Sequence, residues 1–114
     1  MAYNEELADK IRLAIAQQQD VEEKKMFRGM TFMVNGKMCI NIAADEAMFR
    51  IDPAMHDELI ETKECRPMMM KEREYKGYVL VSEEDLRKKK ELDYWVKLAL
   101  DFNQYAKAAK KRSK

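Results

Sequence analysis

Two cysteines, Cys39 and Cys65, and a single histidine, His56, carry the most nucleophilic and metal-binding chemistry in this 114-residue sequence. A thiol nucleophile needs a neighbouring base that lowers its pKa, and His56 is the one imidazole on offer. It lies early in "PAMHDELIET", a predicted short helix, where an exposed surface histidine is the common case. The cysteines lack CxxC spacing, so no structural metal is expected and both thiols read as small packing residues of a reducing compartment. Paired acids, Asp57 with Glu58 and Glu83 with Glu84 and Asp85, fall at predicted helix starts, where the helix dipole already accounts for them. No catalytic residue and no cofactor are assigned, and the chain reads as non-enzymatic.

A phosphate cradle would need several glycines before a Lys-Ser/Thr pair at a helix start, so that many backbone amides converge on one anion. "RGMTF" (28–32) has one glycine and runs into a strand, which makes Gly29 a bulge or a close backbone approach. Ten methionines, three of them consecutive at 68–70, offer either an adaptable partner-binding surface or loose packing. The last eight residues, "KAAKKRSK", carry five basic groups and no acid. Without them the remaining chain holds 17 basic and 21 acidic residues, so the positive charge sits on the end and not on the body.

The elements that position these residues alternate in period. Residues 4–18, "NEELADKIRLAIAQQ", place Leu7, Ile11, Ala14 and Ile15 at helical spacing after Asn4 as N-cap. Asn35-Gly36 between apolar runs signals a hairpin. A two-residue loop pairs Met33 with Met38 and Phe32 with Cys39, leaving both faces mixed. A three-residue loop with Gly36 left-handed pairs Met33 with Lys37 and Phe32 with Met38. The latter gathers Met30, Phe32, Met38, Ile40 and Ile42 on one face, with Thr31, Met33, Lys37, Cys39 and Asn41 on the other, and is favoured. "AMFRI" (47–51) follows as a strand, Asp52-Pro53 opens a helix to about Thr62, and "RPMMMK" (66–71) and "KGYVLV" (76–81) are further strands joined by an exposed "EREY". Ser82 with Asp85 resembles a capping box for a last helix over 83–107, buried through Leu92, Trp95, Val96, Ala99 and Phe102, with Lys88, Lys89 and Lys90 solvated.

The order α-β-β-β-α-β-β-α predicts a two-layer α+β fold, a five-stranded antiparallel sheet with helices. One domain over residues 1–106 and a disordered basic tail over 107–114 are expected. No signal-peptide pattern opens the chain and no apolar run approaches membrane-span length, so a cytoplasmic protein without membrane contact is expected.

"KKMFRGMTFMVNGKMCINI" (24–42), "FRID" (49–52), "RPM" (66–68), "KGYVLV" (76–81) and "WVKLALDFN" (95–103) together resemble the N-terminal domain of the TfoX/Sxy competence-regulator family. Arg28 then Gly29 stand where that family often has two glycines. The resemblance implies a secretion-chaperone-like α-β3-α-β2-α domain and no catalytic residues. It also implies a link to transcription of DNA-uptake genes, which full-length family regulators promote with an added C-terminal helical domain. A chain ending at "KKRSK" is expected to be a stand-alone bacterial regulatory module. Its expected partner is a protein or a second copy of itself, met through Met26, Phe27, Arg28 and Gly29 together with Arg66, Pro67 and Met68. The alternative is a nucleic-acid accessory protein using the basic tail, with Tyr105 as a stacking platform.

Overall fold

The computed structural model describes residues 4–18, 20–26, 29–63, 65–70 and 73–105. The segment Phe27–Arg28 and the tail 107–114 lie outside them. Helix α1 (Glu5–Ala14) begins at Asn4, whose side chain accepts the Leu7 amide, and Glu5 and Glu6 meet the positive end of the dipole. Its buried stripe runs through Leu7, Ala8 and Ile11 to Ile15. Ala14, expected inside, is exposed.

The sheet has six antiparallel strands in the order β1-β2-β3-β4-β6-β5. They are β1 (Val21–Met26), β2 (Gly29–Val34), β3 (Lys37–Ala43), β4 (Glu46–Arg50), β5 (Arg66–Met70) and β6 (Arg73–Ser82). The sixth strand beyond the expected five is β1, "VEEKKM". Its four central charges hide it in the sequence, yet an edge strand tolerates charge because one side of it never meets the core. "EREY", expected as an exposed connection, contributes Arg73–Tyr75 to β6, where Tyr75 pairs Met68 and Glu74 pairs Met69.

The hairpin corrects the favoured register. Asn35 and Gly36 both take positive φ, 56° and 75°, so the loop has two residues and Val34 pairs Lys37, Met33 pairs Met38. Such a turn matches the right-handed strand twist. The register then shifts between Phe32 and Met33, so that Phe32 meets Ile40, Thr31 meets Asn41 and Met30 meets Ile42. Met30, Phe32, Ile40 and Ile42 therefore share the core as expected, but through a bulge three residues beyond the turn. Cys39, the extra residue opposite that shift, enters the core instead of the outer face, and Met38 leaves the buried set.

After β4, Asp52 caps a 3-10 turn (Pro53–Met55) by accepting the Ala54 amide, and α2 (His56–Thr62) continues from it. Ser82 accepts the Asp85 amide and opens α3 (Glu83–Leu86). The single last helix expected over 83–107 is broken: Lys88 is extended and α4 (Lys89–Asn103) starts afresh. The break lets Leu86 and the stripe Leu92, Trp95, Val96 and Ala99 all face the core. Trp95 stacks on Phe49 of β4 with ring centroids 5.8 Å apart. Asn103 anchors the other end of α4. Its Nδ2 donates to the Val34 carbonyl at 3.0 Å, its Oδ1 accepts from Asn35, and its own carbonyl accepts from the Lys37 ammonium at the negative end of the helix.

Candidate functional site

The reactive side chains are built into this scaffold. Cys39 is buried, and loss of solvation pushes its thiol up to about 12 despite the nearby Arg50 guanidinium. Cys65 is half-buried; burial raises its pKa too, against the smaller effect of Lys63, and its Sγ donates to the Leu59 carbonyl at 3.4 Å. Both groups are thiols and not thiolates at neutral pH. At pH 8 a thiol reagent is expected to modify Cys65 first and to reach Cys39 only after denaturant is added. Stoichiometric labelling of Cys39 in the native protein would contradict its placement.

His56 is the opposite of the exposed histidine expected from its place early in a short helix, being 0 % exposed. Its Nδ1 accepts the Gly77 amide at 3.0 Å, and the Gly77 carbonyl accepts the Ile51 amide at 2.8 Å. Gly77 needs its glycine there, since φ is +95° and a Cβ would lie 3.1 Å from the Pro53 ring. The imidazole thus ties α2 to β6, and the Asp57–Lys76 ion pair closes the same junction from outside.

The two segments expected to form an interaction surface are placed apart. Met26 ends β1 and Gly29 begins β2, whereas Arg66, Pro67 and Met68 lie on β5, the opposite edge. From β2 to β5 there are four strand steps, about 19 Å at the usual spacing. Gly29 is a close backbone approach: a Cβ on it would stand 1.9 Å from the Ile42 carbonyl oxygen. Arg66 is exposed and ion-paired with Glu46, and Met68 is half-buried beside the exposed Met69. Phe27 and Arg28 fall outside the described residues. Of the described methionines, three are buried: Met30 joins the main core, and Met33 and Met48 lie on the outer side of the sheet, flanking the buried Asn41–Thr31 hydrogen bond of 2.8 Å.

Two further features escaped the sequence reading. Both sheet edges are blunted, β1 by Glu22, Glu23, Lys24 and Lys25, and β5 by Pro67, which offers no amide donor, and by a register shift between Pro67 and Met68. The second is a groove of about 330 Å³ between α1 and the α3–α4 junction, with Leu13, Ala14, Leu86, Leu92 and Asp93 among its lining. It was not legible because it exists only through the break at Lys88. Among the described residues, no cluster of three or more His, Cys, Asp or Glu side chains could hold a metal ion, and no helix is long and apolar enough to cross a membrane.

These features define an α+β domain with an open antiparallel sheet and helices on one face, its reactive groups spent on packing. The model of the TfoX N-terminal domain matches residues 13–103, and the chain belongs to that family. Neither the curated proteins nor the solved structures hold a match to it.

Proposed function

We propose that this chain is a non-enzymatic regulatory module that works by binding a protein partner, with competence-linked transcriptional control as the process. The observation that carries the reading is family membership across residues 13–103, almost the whole described domain. The commitment of Cys39 and His56 to the core supports it, because neither is free to act as nucleophile or base. A second copy or another protein would meet a face of the domain and not extend its sheet, since both edges resist strand addition.

Crosslinking in the native cell, followed by capture of the chain, tests this together with sedimentation across concentrations. A discrete crosslinked product, or a concentration-dependent dimer, is the expected result. Arg66→Ala and Met68→Ala report whether the β5 edge takes part, without touching the core. A strict monomer that yields no crosslinked product would contradict the reading.

A further inference from the structure

Strand β1 is poorly matched to the strand it covers. All six residues of β2 are buried, and its alternate residues Val34, Phe32 and Met30 belong to the core. Opposite them on β1 stand Val21, Glu23 and Lys25, and directly opposed residues share a face of the sheet. β1 therefore continues the core row with one apolar side chain and two charged ones. Val21 packs against the core, whereas residues 22–25 are exposed. A clamp from α1 holds the strand in place. Arg12 donates to Glu23 from Nε at 2.6 Å and from Nη2 at 2.8 Å, and its guanidinium lies 5.9 Å from the centre of the Phe32 ring. At the start of the strand the Asp20 carbonyl accepts the Asn35 amide at 2.8 Å.

We propose that β1 is a displaceable strap, and that the β2 edge beneath it is a strand-addition site for an extended, alternately apolar segment of a partner protein. The assignment rests on the interaction reading above and gives it a site and a partner chemistry. With β1 closed, a partner meets only faces and blunted edges. Once β1 peels back, the incoming strand takes its place, so the sheet keeps its six strands and is not extended. A segment with valine or isoleucine at the positions of Glu23 and Lys25 re-forms the main-chain ladder and carries apolar side chains beside Phe32 and Met30, where β1 carries charge. That difference selects the occupant. A strand with few buried apolar contacts also belongs to the part of a domain that opens most readily, whereas β3 and β4 are buried through their centres.

The test uses the full chain and a fluorescently labelled peptide that copies residues 18–26 with Glu23→Val and Lys25→Val. The control is the same peptide without the two changes. The expected result is saturable binding of the valine peptide, at least about tenfold tighter than that of the control. Arg12→Gln in the full chain loosens the clamp and should tighten binding by about tenfold. Val21→Cys with Val34→Cys places a thiol on each side of a directly opposed pair, so that oxidation locks β1 to β2. The oxidised lock should abolish peptide binding and a reductant should restore it, which also shows that the locked chain is folded. In hydrogen exchange, the β2 amides that face β1 should exchange at least about tenfold faster than the ladder between β3 and β4.

Equal binding of both peptides, equal binding by the oxidised and reduced lock, or equal protection of the two ladders would overturn the proposal. So would a concentration-dependent dimer that the oxidised lock abolishes, because the β2 edge would then belong to β1 of a second copy. If a partner crosslinked in the native cell binds the oxidised lock as tightly as the reduced one, the strap assignment fails and the interaction reading stands. If the parent chain yields no crosslinked partner, the interaction reading itself fails, while the peptide still decides whether the β2 edge opens.

Discussion

Gly29→Ala is expected to destabilise the domain by about 3–5 kcal/mol, a large part of the ~5–15 kcal/mol that holds an ordinary domain folded. The added Cβ would meet the Ile42 oxygen at 1.9 Å, the Ile42 carbonyl carbon at 2.8 Å and the Ala43 Cα at 3.0 Å. All three atoms are backbone, so no rotamer change relieves the clash, and β2 must move away from β3 beside the Met30–Ile42 pair. Both of those side chains belong to the core, which carries the disturbance inward. Gly36→Ala is the control. Its φ of +75° makes alanine unfavourable, but no atom lies within 4 Å, so the cost should be only the left-handed penalty of about 1 kcal/mol. Urea denaturation followed by the fluorescence of Trp95, the single tryptophan, measures both. Equal midpoint shifts for the two variants would show that the close approach is not as described.

Trp95→Ala should cost about as much, roughly 3–5 kcal/mol, by a different mechanism. The side chain is 1 % exposed and joins α4 to the sheet through its stack on Phe49. Truncation removes the largest fully buried side chain and leaves a void that the strands cannot close without losing register. The indole is gone in this variant, so circular dichroism must follow its unfolding. Leu98→Ala, at a partly buried position of the same helix, should cost clearly less. A loss at Trp95 no greater than at Leu98 would contradict the packing.

Caps and period-two runs were the most legible parts of the chain. Asn4, Asp52-Pro53 and Ser82 all cap where their side-chain chemistry placed them, and the strands around "AMFRI" and "KGYVLV" and the hairpin at Asn35-Gly36 stand where the sequence put them. Features set by tertiary packing were not. The charges of β1 read as exposed chain because an edge strand needs no apolar face of its own. The break at Lys88 carries no glycine or proline; a continuous helix would turn Leu86 and Leu92, six residues apart, to different sides, and the break lets both face the core. The bulge at Phe32/Met33 was hidden because residues 29–34 and 39–42 are all buried, so polarity could not separate the two faces. His56 was misjudged for a related reason: a place early in a short helix says nothing about the buried Gly77 amide that donates to its ring. Of the candidate surface, the β5 segment was named from sequence, whereas the groove between α1 and the α3–α4 junction had no signal in the sequence, since residues of separate elements line it.

The central claim is that the domain acts through its surface and not through its reactive side chains. Native-cell crosslinking of the parent chain beside a Cys39→Ala, Cys65→Ala variant tests it most directly, with circular dichroism to confirm that the variant is folded. The account predicts the same crosslinked partner at the same yield from both chains. No partner from the parent chain, or a partner lost from a folded cysteine-free chain, would contradict it.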